Sequence, residues 1–199
     1  MQGTDYDETF ALVARYSSIR SILALSTQMG WKIHDVDVNT TFLNEFIEEE
    51  VYIEQSEGFE TVDRDSHMCR LKIPLYGLKQ APHAWYTKTD RYFTGMGFTE
   101  SEADVKLYYI VVDGELFIIL LYVGDMILTG DEQLIKSCKE DLGREFEMKG
   151  MELLYYFLGL EIWKRYGELF VSLGKYANKI LKTLYMDGNK PMETPLAGN

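Results

Sequence analysis

The chain has 199 residues, 46% of them hydrophobic and 14% aromatic, with 32 Asp and Glu against 20 Lys and Arg and a formal net charge of -12. That is enough apolar material for one buried core with a small appendage, and too much for global disorder. The longest clean apolar stretch, Leu116 to Val123, falls far short of the roughly 20 residues that span a bilayer, and the polar opening MQGTDYDETF lacks the layout of a secretory signal, so the expectation is a cytoplasmic or nuclear protein, neither secreted nor in a membrane.

The first element predicted is a helix over SSIRSILALSTQMG, capped by Ser17 or Ser18, with Ile19, Ile22 and Leu23 on one face and Gly30 as its stop. WKIHDVDV alternates into a strand ending at Asp37. A short helix or turn is expected between Thr40 and Glu50, then strands at VYIEQ and MCRLKI. Pro82 suits the first turn of a helix over APHAWYTKTDRYFTGM, whose Trp85, Tyr92, Phe93 and Met96 form one stripe for packing on a sheet. KLYYIVVDGELFIILLYVGDMILTG holds three strand-like runs, broken by Asp113-Gly114 and by Val123-Gly124-Asp125, which predicts an antiparallel meander. Asp131 can cap a following helix lined by Leu134, Ile135, Cys138 and Leu142. YYFLGLEIWKR and ELFVSLGKY suggest a hairpin turning near Gly167, and KYANKILKTLYM a last helix. The core order of strand, helix, two strands, helix, strand is that of an α+β, split βαβ (ferredoxin-like) antiparallel sheet with packed helices.

Two cysteines, Cys69 and Cys138, form no Cys-x-x-Cys pair and read as small buried hydrophobes in a reducing compartment rather than as zinc ligands. The acidic balance counts against a phosphate-bearing partner. The charge is uneven, however: residues 45–60 form a dense acidic block, and the stretch from Lys136 to Lys190 is richer in Lys and Arg.

Asp37 closes the first core strand and Asp125 stands at the tip of the later hairpin. In a split βαβ sheet these strands are neighbours, and carboxylates gathered at one sheet end suit a hard divalent cation such as magnesium. Two such ions roughly 3.5–4 Å apart can run phosphoryl transfer. Spacing alone also allows a plainer reading, two aspartates at two turns.

The strings DVDVNTTFLN, EEEVYIEQSEGF, LYGLKQAPHAWY, SEADVKLYY, LLYVGDMILTG, FEMKGMELLYYFLGLEI and KYANKILK, in that order, resemble the reverse transcriptase domain of copia-type retrotransposons over nearly the whole chain. The resemblance implies a polymerase palm with residual fingers elements over 1–150, and a primer-grip hairpin with the start of the thumb or connection over 151–199. It implies RNA-directed DNA polymerase chemistry with Mg2+ as cofactor. RNA template, DNA primer and deoxynucleotide triphosphates would be its partners, alongside other parts of a retroelement polyprotein. Asp37 and Asp125 match catalytic, metal-binding acids. Phe42 matches the bulky residue that excludes a ribose 2′-hydroxyl, Gln80 the nucleotide and template pocket, and Lys149 a basic residue near the departing pyrophosphate. Phe157, Leu158 and Gly159 resemble the primer grip. Plainer roles exist for Phe42 as a core aromatic and for Gln80 and Lys149 as surface residues.

The family's tyrosine-x-Asp-Asp hairpin falls on Tyr122, Val123, Gly124 and Asp125, so its first acid, a shared metal ligand, is replaced by Gly124. Neighbouring strand residues point to opposite faces, so Asp125 cannot take over. The implied consequence is polymerase activity that is lost or very low. FALVAR, TFLNE and APHAW stand where FAPVAR, AFLNG and APRAW are commoner, so Leu12, Glu45 and His83 also depart from the pattern. The basic fingers strands that precede GTDYDETF in the family and the later connection and ribonuclease H regions lie outside the sequence, and the expectation is a truncated palm. The alternatives are a non-catalytic nucleic-acid or protein-binding module derived from a retroelement, and a relic without a selected role.

Overall fold

In the computed structural model the described residues are 15–39, 41, 50–59, 67–78, 81–165 and 167–190. The chain divides into two compact units, Met1–Leu153 and Leu154–Asn199.

The first unit runs α1 (Tyr16–Met29), β1 (Ile33–Val38), β2 (Tyr52–Ile53), β3 (Cys69–Arg70), α2 (Ala81–Gly95), β4 (Thr99–Ser101), β5 (Asp104–Val112), β6 (Glu115–Tyr122), β7 (Asp125–Gly130), α3 (Glu132–Glu145) and β8 (Met148–Leu153). Six strands form one sheet in the order β4-β5-β6-β7-β1-β8, with every neighbouring pair antiparallel, while β2 and β3 pair separately. The predicted meander is β5-β6-β7. β6 buries Phe117 to Leu121 without a break because both its faces are covered, so its sequence reads as a continuous apolar run rather than an alternation. The α3 crossover from β7 to β8 skips one strand, β1, whereas the connection through α2 carries the chain from β1 to the far edge of the sheet at β4, from which β5, β6 and β7 return strand by strand to lie beside β1. The α+β expectation holds.

Alternation sorts the sheet into two faces. Val36, Val38, Ile119, Leu121, Met126 and Leu128 join Trp85 and Phe93 of α2 and Ile135, Cys138 and Leu142 of α3 in the main core. Each side chain of this size contributes about 1.5–3 kcal/mol on burial. The other parity carries Ile33, Asp35 and Asp37 of β1, opposite Thr129, Ile127 and Asp125 of β7. On that face α1 is tied to β7 by a bond between the Ser26 and Thr129 hydroxyls at 2.9 Å. Among the described residues, no helix is long and apolar enough to cross a membrane.

Three expectations need correction. α1 starts at Tyr16 and neither serine caps it; the Asp104 carboxylate of β5 instead accepts from the Arg15 N–H at 3.1 Å and the Ser18 hydroxyl at 2.5 Å. Cys138 is buried, but Cys69 is exposed on a two-residue strand. The strand that follows α3 and joins the sheet is β8, not YYFLGLEIWKR. β8 lies on the sheet edge with mostly exposed residues, so it shows no apolar alternation. Other elements hold: Gly30 ends α1 at φ 73, and Asp131 caps α3 by accepting from the Gln133 and Leu134 N–H groups at 2.9 and 3.0 Å.

The second unit holds β9 (Tyr156–Phe157), β10 (Leu160–Arg165) and β11 (Glu168–Ser172) in a sheet ordered β11-β10-β9, then α4 (Gly174–Thr183). Trp163 and Phe170, opposite each other in register, stack with centroids 5.7 Å apart. The N-terminus of α4 is served by Glu161 of β10, which accepts from the Lys175 N–H at 2.9 Å.

Candidate active site at the tip of the β6–β7 hairpin

β6 turns into β7 through Val123 and Gly124, with Tyr122 paired to Asp125. Val123 has φ 50, in the left-handed region. For a β-branched residue that conformation costs on the order of 1–3 kcal/mol and persists only where the surroundings impose it. Here two bonds hold the turn, and a third fixes the end of β1 beside it. The Trp85 indole N–H donates to the Val123 carbonyl, the Val38 N–H donates to the Gly124 carbonyl at 2.9 Å, and the Thr41 hydroxyl donates to the Val38 carbonyl at 2.8 Å.

The turn delivers Asp125 directly opposite Asp37 on the adjacent strand, and paired residues share a face. Asp35 lies two residues before Asp37 on the same face. Burial, then the charges of Asp37 and Asp35 and a hydrogen bond shared with Asp37, push the Asp125 carboxyl up to about 6. Burial and then the Asp37 charge also raise Asp35, whose Oδ1 is buried with no hydrogen-bond partner among the described residues. Three acids therefore repel one another on one patch, the condition that a hard cation with oxygen ligands relieves. Asp37 and Asp125 are opposed carboxylates, the donor type that such an ion takes. A fuller cage is not present: among the described residues no group of three or more His, Cys, Asp and Glu is placed to hold a metal, and Gly124 offers no side-chain oxygen.

β8 brings Lys149, exposed, alongside Asp37 on the other edge of β1, where the register shifts between Val36 and Asp37. Phe157, Leu158 and Gly159 lie in the second unit, where Leu158 at φ 50 and Gly159 at φ 86 join β9 to β10 and Phe157 is buried. His83 is exposed in the first turn of α2. Phe42, Gln80, Leu12 and Glu45 lie outside the described residues. Sequence reasoning missed Asp35, although the spacing in HDVDV puts it on the same face as Asp37. It also missed Thr41, where TFLNE already differs from AFLNG at its first position.

A model of the reverse transcriptase (RNA-dependent DNA polymerase) family matches residues 1–198. The chain belongs to that family. This reverse transcriptase domain is 39% identical over 202 residues to the retrovirus-related Pol polyprotein from transposon TNT 1-94 of Nicotiana tabacum, covering 100% of this chain and 15% of that protein. It is 38% identical over 196 residues to the corresponding polyprotein from transposon RE2 of Arabidopsis thaliana, covering 98% of this chain and 14% of that protein. To that from transposon RE1 of the same plant it is 37% identical over 196 residues, covering 98% and 13%. The reverse transcriptase domain thus spans about a seventh of the length of these copia-type relatives. No solved structure matches it.

Proposed function

We propose that this reverse transcriptase domain is a polymerase palm over 1–150, followed by a primer-grip hairpin and the start of the thumb over 151–199, and that its two-metal nucleotidyl transfer is crippled at Gly124. The observation that carries this reading is the pairing of Asp37 with Asp125 beside a strained turn whose other position is glycine. Asp37 and Asp125 would hold magnesium, which when bound neutralises charge on an attacking hydroxyl and a departing pyrophosphate. Asp125, with its carboxyl near 6, must lose its proton before it can ligate, so metal affinity rises with pH through that value. Lys149 lies beside the pair and would face the pyrophosphate, Phe42 would exclude a ribose 2′-hydroxyl, and Gln80 would line the pocket for template and nucleotide. Phe157, Leu158 and Gly159 would hold the primer end. The substrates would be an RNA template, a DNA primer and deoxynucleotide triphosphates, and the three plant relatives named above, each a Pol polyprotein, support work beside other polyprotein parts.

The absent carboxylate at 124 removes an interaction felt most in the transition state. A loss of roughly a hundredfold or more follows, since about 1.4 kcal/mol is tenfold in rate. Primer extension on an RNA template with Mg2+ tests this: incorporation should fall at least that far below an intact Asp-Asp palm, and incorporation within tenfold of it would contradict the proposal. Binding without catalysis is a second reading, favoured by the split of charge. Leu154–Asn199 carries six of the 20 Lys and Arg but only four of the 32 Asp and Glu. Affinity for an RNA/DNA duplex that weakens steeply with salt would support it, and a flat response would sink it.

A further inference from the structure

Gly124 differs from most of the glycines in this chain. Gly30, Gly58, Gly114, Gly130, Gly159 and others sit at positive φ, where a side chain is strained whatever the space around it, but Gly124 does not. Its φ lies outside the region that strains an L side chain. What bars a side chain is space, because a Cβ there would collide with the Thr41 hydroxyl oxygen and lie 3.4 Å from Thr41 Cβ and 3.5 Å from the Val38 carbonyl oxygen.

We infer that Thr41 fills the space of the side chain missing at 124, and that the two positions form one coupled pair in which a carboxylate returns to 124 only when Thr41 is cut back. Thr41 is 5% exposed, and its hydroxyl is fixed by the 2.8 Å bond to the Val38 carbonyl. Rotating the hydroxyl away would break that bond and leave a buried oxygen to find another partner. Moving the turn instead would break the bond from the Val38 N–H to the Gly124 carbonyl and that from the Trp85 indole to the Val123 carbonyl. The tip is pinned on both sides, so the strain of an added side chain falls on Thr41. Thr41 is a positioning residue: it holds the end of β1 against the turn and closes the gap. The coupling rests on geometry alone, whereas its consequence for metal binding rests on the proposed function.

Thermal unfolding of the whole chain tests the coupling, with the neutral Gly124→Ala isolating space from charge. In a chain of this length about 1 kcal/mol moves Tm by roughly 2–4 °C, and Gly124→Ala should lower Tm by several degrees in the wild-type background. The same change should cost less than half as much beside Thr41→Ala, and should keep its cost beside Thr41→Val, which retains the bulk. Additive effects of Gly124→Ala and Thr41→Ala, or a Gly124→Ala chain as stable as wild type, would overturn the inference. Should Gly124→Ala fail to fold, recovery on adding Thr41→Ala supports it and failure to recover overturns it. A second arm adds Mg2+ at pH 8. The Gly124→Asp, Thr41→Ala double variant should show a larger Mg2+-induced rise in Tm than wild type, and Gly124→Asp alone should not. Coupling in the first arm with no Mg2+ response in the second would remove the reading of 124 as a ligand position while leaving the role of Thr41 intact.

Discussion

Strand β6 is entered through Asp113-Gly114 and left through Val123-Gly124, two turns of equal length that reverse the chain by different means. Asp113 and Gly114 take φ 53 and 87, are exposed, and are residue types that tolerate the left-handed region, so local sequence is enough to make the turn. Val123 takes nearly the same φ, 50, with a side chain that resists it, and is held there by Trp85, while Val38, whose carbonyl accepts from the Thr41 hydroxyl, donates to the neighbouring Gly124 carbonyl. Strain imposed from outside marks the end of the sheet that carries the paired acids; the relaxed turn marks the end that only connects.

Breaking the brace should give the largest effect. Trp85 is 1% exposed and packs edge-on against Phe146 with centroids 5.4 Å apart. Trp85→Ala should cost about 3–5 kcal/mol, and Trp85→Phe about 1–3 kcal/mol, since it keeps most of the bulk but orphans the Val123 carbonyl. Denaturant titration measures both. A Trp85→Phe chain as stable as wild type would show that the turn needs no brace.

Asp125→Asn sharpens the comparison through pH. The Asp125 carboxyl is raised from 3.8 to about 6 in the folded chain, so the folded state holds a proton that the unfolded state has released. The resulting stabilisation is fully present below about pH 4 and is lost as pH rises through 6. At pH 8 the wild type therefore carries a repulsion that asparagine removes. Asp125→Asn should be the more stable chain there by roughly 1 kcal/mol, allowing for solvent screening, with the gain gone by pH 4. A gain that does not change with pH would contradict the repulsion.

At the relaxed end the effects should be small. Gly114 has φ 87 and no neighbour within 4 Å of an added Cβ, so Gly114→Ala should cost about 1 kcal/mol for the backbone alone. Thr41→Ala should not rescue it; rescue would mean that Thr41 acts on the sheet at large rather than on position 124. Asp113→Asn should stay within about 0.5 kcal/mol.

The same contrast explains what the sequence could and could not reveal. The meander was legible because Asp113-Gly114 and the apolar runs encode it locally, as was the buried side of α3. The helix starts were legible to within a residue, but the capping partner only where it is local: Asp131 caps its own helix, whereas α1 and α4 borrow Asp104 and Glu161 from strands. β8 was missed because MKGMEL is a polar edge strand with Gly150 at φ 73. At the site, Asp37 and Asp125 were visible in their strings, and their register explains why the pair stands together. Thr41 was not, since its meeting with Gly124 depends on how the turn folds back over the end of β1.

The central claim is that the Val123-Gly124 end is the cation-binding end of a weakened polymerase site, and calorimetric titration of the whole chain with Mg2+ at pH 8 tests it most directly. Weak, saturable binding is predicted, abolished by Asp37→Asn and by Asp125→Asn and unchanged by Asp113→Asn at the opposite turn. No saturable binding, or binding that survives both site substitutions, would contradict the account.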